Sequence, residues 1–129
     1  MGAPAAKFGD KVVAVDTHIV VVPGPASSAL PHPFSGTLSG SLSPDVQIMG
    51  QPAATVGSTA KNVPPHIPTP PGTSFTRPPT NQGTVAMGST TVRINGKAAA
   101  RAGDPVTTCN DPADLPVGKI VAVGTVMIG

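Results

Sequence analysis

A twelve-residue unit occurs twice in the chain, and this repeat constrains the fold more than any other feature. Residues 46–57 read VQIMGQPAATVG and residues 92–103 read VRINGKAAARAG, with six of the twelve positions identical. Each copy is a short alternating strand followed by Gly, two variable residues, Ala-Ala, two more residues and a closing Gly. A repeat of this kind predicts that equivalent units pack against one another around a shared core.

A third copy is divided between the two ends of the sequence. Residues 2–10 read GAPAAKFGD and match the second half of the unit, while VMIG at 126–129 matches the strand that leads into it. We therefore predict three equivalent units around an axis, an arrangement that closes the ring and leaves fewer free sheet edges. Gly/Ala-rich sequence aligns with itself easily, but the Val-x-Ile lead-ins argue against chance. The prediction is a single domain, 1–129, with units near 2–10 together with 120–129, at 46–58 and at 85–104.

The composition favours an all-β fold. The chain has 17 Pro and 15 Gly, which is close to the composition of disordered segments, but its mean hydropathy of +0.14 and net charge of +2 oppose disorder. There is no Glu, and Val and Thr are abundant, which favours strands over long helices. Gly88, Gly96 and Gly124 are expected in hairpin turns. The predicted strands are Lys11–Val15, His18–Val22, Val46–Met49, Thr84–Met87, Thr91–Asn95 and Ile120–Ile128.

Two Pro-rich insertions, 23–44 and 63–79, separate the repeat units. Proline donates no ladder hydrogen bond, so neither insertion is expected to form a central strand. The second insertion contains two overlapping P-x-x-P patterns, which are typical of polyproline ligands. The other interpretation is an ordered loop that wraps over the sheet. We favour the loop, because a free Pro-rich ligand is unusual between two halves of a repeat.

Charge and hydropathy exclude several classes of partner. Eight basic and six acidic residues form no basic run, so nucleic-acid binding is not expected. The apolar stretches are too short to span a bilayer, which argues against stable membrane insertion. The N-terminus lacks the pattern of a signal peptide, so we expect synthesis in the cytoplasm. A single Cys excludes an internal disulfide.

The candidate metal ligands are few and fall at matching places in the repeat. His18 and His66 each lie nine residues after the closing Gly of a copy, and Cys109 lies six residues after the third. His32, in the first insertion, could supply a fourth ligand. Three His and one Cys suit a closed tetrahedral zinc site. The alternative is three solvent-facing loop histidines and a small buried Cys.

Enzymatic activity is not expected. Four protein ligands would fill the position that catalytic zinc keeps open for water, and no Ser lies in a nucleophile-elbow pattern. Asp16, two residues before His18, could orient that imidazole. The Gly and Asp residues that close each repeat are expected in turns. The glycines would supply unusual backbone angles there, and the Asp side chains would bond to the backbone. These turn residues are Gly9, Asp10, Gly57, Gly103 and Asp104.

The repeats resemble the proline-alanine-alanine-arginine (PAAR) family. The matching segments are PAAKFGD at 4–10, PAATVGS at 52–58 and AAARAGD at 98–104. The third copy keeps the Arg, at Arg101, whereas the other two have Lys7 and Thr55. The second copy has Ser58 in place of Asp. Since the motif is expected to hold turns, these departures weaken the resemblance little.

The resemblance implies a fold and a function. Such proteins are small pseudo-three-fold cones of β-strands and hairpins with, here, long Pro-rich loops. They cap and sharpen the trimeric β-helical spike of contractile injection systems, which include type VI secretion, phage tails and extracellular particles, and they aid puncture of a target envelope. The expected partner is one spike trimer per tip, and many relatives also carry effector cargo. One structural Zn²⁺ per chain is implied, with the ligands His18, His32, His66 and Cys109.

The alternative to a spike tip is a zinc-stabilised β adaptor. Such an adaptor would bind another trimeric protein or a partner that recognises its Pro-rich segment. The expected location of a spike tip is an injection particle, delivered outside the producing cell or into a target cell.

Overall fold

Strands in which buried and exposed side chains alternate build a fold that consists of strands and loops. The computed structural model describes residues 2–24 and 26–129; Pro25 of the first insertion lies outside these residues. The all-β prediction is confirmed, since these residues contain no helix, and therefore none able to cross a membrane. The strands are β1 Ala3–Pro4, β2 Lys11–Val21, β3 Ser27–Gly40, β4 Gln47–Ile48, β5 Gln51–Pro52, β6 Thr59–Asn62, β7 Ser74–Phe75, β8 Gln82–Val85, β9 Arg93–Ile94, β10 Lys97–Ala98, β11 Pro105–Thr108, β12 Leu115–Val121 and β13 Met127–Ile128.

Six of these strands close into a barrel-like sheet. Their order is β12-β11-β8-β6-β3-β2, and pairing of β12 with β2 closes the ring. All neighbours are antiparallel, and β7 pairs with the far end of β2. Each repeat contributes one pair of adjacent antiparallel strands to the closed sheet: β2 with β3, β6 with β8, and β11 with β12. Closure removes the free edges that an open sheet of this size would expose.

Three short hairpins repeat at one end of the barrel. In β4–β5, Ile48 pairs with Gln51 across Met49 and Gly50, which have φ of 52° and 81°. The β9–β10 hairpin has the same register, and its two turn residues have φ of 52° and 80°. Positive φ at both central residues is the type I′ turn that suits the twist of a hairpin. The third hairpin joins the chain ends, where Ala3 of β1 pairs with Ile128 of β13.

The second Ala of each repeat lies on the axis. Ala6 N–H donates to Ala100 O at 2.9 Å, Ala100 N–H to Ala54 O at 3.0 Å, and Ala54 N–H to Ala6 O at 3.0 Å. These three bonds form a closed ring, and all three side chains are fully buried. Backbones that approach this closely around an axis leave room for a methyl group but little more. This packing accounts for the second Ala of the Ala-Ala pair that every copy shares.

The same turn closes each repeat and directs the chain into the barrel. In every copy a backbone N–H donates to a side-chain oxygen three residues later: Lys7 to Asp10, Thr55 to Ser58 and Arg101 to Asp104, at 3.0, 2.9 and 2.7 Å. Ser58 thus makes the bond that Asp makes in the other copies. The glycine between has positive φ each time, 89° at Gly9, 95° at Gly57 and 86° at Gly103. Such φ values favour glycine.

The first Pro-rich insertion is not a loop throughout, which corrects the expectation drawn from its prolines. Residues Ser27–Gly40 form β3, which pairs with the whole of β2 through its residues 27–37. Pro31 and Pro33 lie two residues apart, so their nitrogens face the same edge of β3. On that edge β6 pairs with β3 only from Gly36 to Gly40, and the prolines therefore interrupt no ladder bond.

Other predicted elements differ in their bounds. The two strands predicted within residues 11–22 are one continuous strand, and the one predicted over Ile120–Ile128 is divided between β12 and β13. Gly96 lies in a hairpin turn, but Gly88 and Gly124 lie in the segments between strands. A Cβ on Gly88 would lie 2.5 Å from the carbonyl oxygen of Ala99, so close approach of two backbones requires glycine there.

Candidate metal centre

Four buried side chains from all three repeats converge inside the barrel. Asp16 and His18 lie on β2, His66 follows β6, and Cys109 follows β11. Asp16 and His18 are two residues apart on one strand, so they point to the same, inner face. One ligand atom from each of the four residues lies within 4.8 Å of the others. The described residues thus contain a group with the chemistry of a metal site.

The sulfur distances agree with metal coordination. Cys109 Sγ lies 3.7 Å from His18 Nε2 and 3.6 Å from Asp16 Oδ2. Bonds of about 2.3 Å to sulfur and about 2.05 Å to nitrogen or oxygen place two ligand atoms of a tetrahedral zinc about 3.6 Å apart. His66 Nε2 lies closer to Asp16 Oδ2, at 2.8 Å, which is a hydrogen bond. The residues present therefore fit zinc, and in the metal-free protein His66 Nε2–H donates to the Asp16 carboxylate.

The second nitrogen of His18 faces a carboxylate that the sequence did not single out. His18 Nδ1 is buried, makes no aligned hydrogen bond within the described residues, and lies 3.5 Å from Asp111 Oδ2. Asp111 is held in place by the backbone N–H of Ile19 at 2.9 Å and by Arg77 Nε at 3.0 Å. A carboxylate behind an imidazole is the usual arrangement for a metal-bound histidine, because it orients the ring.

The surroundings of this pair lower the pKa values of both His18 and Asp111. Burial raises the pKa of Asp111, but the Ile19 N–H and the neighbouring His18 and Arg77 outweigh burial and hold the pKa below its usual range. Burial and the nearby His66 lower the pKa of His18. A neutral His18 leaves a nitrogen lone pair free for a metal.

The surroundings of His66 shift its pKa in the direction opposite to that of His18. Asn62 Nδ2 lies 3.2 Å from His66 Nδ1, and His66 Nε2 faces Asp16 Oδ2 at 2.8 Å. Burial lowers the pKa of His66, but its interactions with Asp16 and Cys109 outweigh burial and raise that pKa to about 9. In the metal-free protein Asp16 thus keeps a proton on His66, and a bound metal would replace that proton.

His32 lies beside the cluster with both ring nitrogens engaged. Its ring centroid is 5.3 Å from that of His18 and 5.6 Å from that of His66. His32 Nδ1 donates to Leu30 O at 2.9 Å, and its Nε2 accepts the Thr69 N–H at 3.1 Å. Burial lowers the pKa of His32. In this arrangement the ring packs against the other two histidines and offers no free lone pair.

The structure therefore brings together three of the four predicted ligands and adds a carboxylate. His18, His66 and Cys109 share one cluster with Asp16, whereas His32 as a ligand stays a prediction. Asp16 forms a hydrogen bond with His66 and none with His18, the imidazole that it could have oriented. Asp111 takes the place beside His18.

The second Pro-rich insertion covers this end of the barrel as an anchored loop. Thr69 Oγ1 donates to Pro31 O at 2.8 Å, and Thr76 Oγ1 donates to Ile19 O at 3.0 Å. Arg77 closes the segment by its bond to Asp111. A cavity of about 410 Å³ remains between this loop and β3, and its lining includes five prolines together with His32 and His66.

A closed pseudo-three-fold β-barrel with a buried His/Cys/Asp cluster places the chain in the class of small all-β domains that carry a candidate metal centre. The family model for the PAAR motif matches residues 77–129, which contain the third repeat and Cys109. This match confirms the resemblance to PAAR-repeat proteins of contractile injection systems. Comparison with curated proteins gives no match. The PAAR family is a structural family of spike tips in type VI-like systems and is not enzymatic.

Proposed function

We propose that this protein is the tip that caps and sharpens the trimeric β-helical spike of a contractile injection system and aids puncture of a target envelope. The observation that carries the proposal is the set of three equivalent hairpins, β1–β13, β4–β5 and β9–β10, with a shared register. One chain with three equivalent surfaces matches a true trimer at one tip per spike. In this proposal the chain is made in the cytoplasm and leaves the cell with the particle.

The hairpin end of the barrel carries apolar groups suited to such a contact. Val46 and Val126 occupy equivalent positions before β4 and β13, and both are partly exposed. Met49 and Met127 are each more than half exposed at the same end. Apolar side chains around an axis would cover the strand ends of a β-helical spike and be buried in return.

We further propose that one structural zinc ion joins the three repeats. His18, His66 and Cys109 would supply two imidazoles and a thiolate, with the Asp16 carboxylate as fourth ligand in the observed arrangement. His32 would take that fourth place only by releasing the Thr69 N–H. Structural zinc contributes on the order of 10 kcal/mol to folding in small domains, which suits a part that transmits force. The ion would cross-link segments that are distant in sequence, and no chemistry beyond that is required of it.

Metal content of the purified protein tests the zinc proposal. Elemental mass spectrometry should find about one zinc per wild-type chain. Cys109→Ala should remove most of the zinc and lower the free energy of unfolding by several kcal/mol. Arg101→Ala, in a repeat turn outside the cluster, is the control and should keep its zinc. An unchanged melting temperature in Cys109→Ala, or equal zinc loss in both variants, would contradict the ligand assignment.

Two further variants separate the candidates for the fourth ligand. Asp16→Asn should weaken zinc binding, and His32→Gln should leave the zinc content near one per chain because the observed His32 nitrogens bond to Leu30 and Thr69. The reverse result would assign the fourth position to His32.

Association with a spike tests the main proposal. The protein should co-migrate with a trimeric β-helical spike at one chain per trimer, and Met49→Lys should weaken that complex. Replacing Pro68 and Pro71 by Ala should leave it intact. If the proline variant loses its partner and Met49→Lys does not, the protein is an adaptor that is recognised through its Pro-rich segment.

A further inference from the structure

A second cavity, of about 200 Å³, leads from the surface to the candidate metal centre. Its lining includes two members of the cluster, His18 and Cys109, together with Asp114 and residues 77–80. His18 and Cys109 are only 1% and 2% exposed, whereas Asp114 and Thr80 are exposed. This cavity, which we call the 77–80 cleft, therefore lies between the solvent and the buried cluster.

Arg77 bridges the two walls of the 77–80 cleft. Its guanidinium donates to Asn110 O and, at 3.0 Å, to Asp111 Oδ1, both in the segment that follows Cys109. The Arg77 side chain is 54% exposed. Ion pairs that are this open to water are weak, because the solvent screens them. A local motion can therefore open the bridge without unfolding the barrel.

The 77–80 cleft and the Pro-lined cavity of about 410 Å³ differ in charge. The Pro-lined cavity touches His66, but its lining contains no carboxylate. The cleft contains the carboxylate of Asp114, which has no cation within ion-pair distance among the described residues, while Asp111 balances the charge of Arg77. A hydrated dication loses solvation in an apolar passage and is attracted by a carboxylate at an entrance. The cleft is therefore the more suitable route for a metal ion.

We propose that zinc enters and leaves its site through the 77–80 cleft, with Arg77 as the latch and Asp114 as the residue that attracts the ion. This proposal rests on the zinc site proposed above and adds the route by which that site is filled. In it the cluster sets the affinity for zinc, whereas opening of the latch sets the rate of exchange. Ligands that are almost completely buried can then load after the barrel has folded.

The first test needs no zinc. Cys109 is the only cysteine, so alkylation of the chelator-treated protein by iodoacetamide reports passage through the cleft. Thr80→Trp, which places a large ring at the cleft, should slow alkylation at least threefold. Ser35→Trp, the matched control, places the same ring at the Pro-lined cavity and should be alkylated as fast as the wild type. Both positions are exposed, so both variants should keep the wild-type melting temperature.

The latch and the attracting charge have separate readouts. Arg77→Lys keeps the charge but lacks the fork that holds Asn110 and Asp111 together, so it should speed alkylation at least threefold. Asp114→Asn should leave alkylation unchanged, because iodoacetamide carries no charge. In stopped-flow mixing with Zn²⁺, Asp114→Asn should slow uptake at least threefold, and salt should slow uptake by the wild type more than by the variant. The final zinc content should stay about one per chain, since Asp114 lies outside the cluster.

The outcomes distinguish the route from the zinc site. Equal alkylation of Thr80→Trp and the wild type, slower alkylation of Ser35→Trp, or no acceleration in Arg77→Lys would overturn the route. Zinc uptake at the wild-type rate in Asp114→Asn would overturn the role of that carboxylate. A protein that binds no zinc but whose alkylation follows the expected order would overturn the zinc site while confirming the cleft as the access route to Cys109.

Discussion

Joining Gly129 directly to Gly2 should stabilise the protein. The two complete hairpins have two residues between their paired strand ends, with positive φ at both. In the third hairpin Ile128 pairs with Ala3, so Gly129 and Gly2 occupy the two turn positions once Met1 is removed. The ends are already close, since a Cβ on Gly2 would lie 2.7 Å from Ile128 O. Gly-Gly is among the preferred sequences for a type I′ turn.

The magnitude follows from the entropy of the unfolded chain. Closing a loop of about 130 residues removes conformational freedom worth about 5 kcal/mol at 25 °C in the chain-entropy treatment. The folded state needs no distortion, because the other two hairpins show that the barrel accepts a two-residue turn there. For a domain of this size the gain corresponds to a rise of about 15 °C in the melting temperature.

Split-intein ligation of residues 2–129 and urea unfolding would measure the effect. The unfolding midpoint of the cyclic protein should exceed that of the linear one, both with zinc and with a chelator. The control keeps the Gly129–Gly2 bond but opens the chain between Asn95 and Gly96, inside an equivalent turn. This permutant should fold with a stability near that of the linear protein. A cyclic protein no more stable than the linear one, or an unfolded permutant, would refute the equivalence of the three hairpins.

Three substitutions probe the parts of the fold separately. Asp111→Ala should lower zinc affinity about 10- to 100-fold, because His18 loses the carboxylate behind its ring; calorimetric titration measures this. Ala54→Leu should destabilise the protein by about 1–3 kcal/mol through overpacking at the axis, whereas Ala86→Leu, on the surface, should not; thermal unfolding compares them. Gly57→Ala should cost about 1–2 kcal/mol in urea unfolding, since its φ of 95° is unfavourable for a residue with a Cβ.

Most of the correct predictions about the fold came from the repeat. A short strand, a turn and an Ala-Ala pair are local features, and the three copies gave the all-β class that the structure has. The sequence did not predict β3, because its prolines argue against a central strand. Proline is tolerated in a strand where its nitrogen faces an unpaired edge, and the sequence does not show which edge is paired. Pro31 and Pro33 are compatible with a strand only because β6 is too short to reach them. Such a length difference between neighbouring strands is a tertiary property.

The candidate site was partly predictable for a similar reason. His18, His66 and Cys109 were found from residue type and from their place after each closing Gly. The predicted strands Lys11–Val15 and His18–Val22 leave Asp16 between them, and only the continuity of β2 places its side chain on the same face as His18. Asp111 sits in a segment rich in Asn, Asp and Pro, where a turn is the ordinary interpretation. Its contact with His18 spans more than ninety residues and depends on how β11 leaves the barrel.

The symmetry of the molecule changes along the barrel, and this change limits what each end can bind. At the hairpin end and on the axis, the three repeats make the same hydrogen bonds, so a trimer can meet three equivalent surfaces. Beyond the closing turns the copies diverge: the first supplies Asp16 and His18, the second His66, and the third Cys109. The cluster observed here combines a carboxylate, two imidazoles and a thiol from three directions, whereas three identical loops would present three copies of the same side chain around the axis. A single chain with a divided repeat can therefore present a three-fold base and still assemble one asymmetric metal centre, which three separate identical subunits could not do.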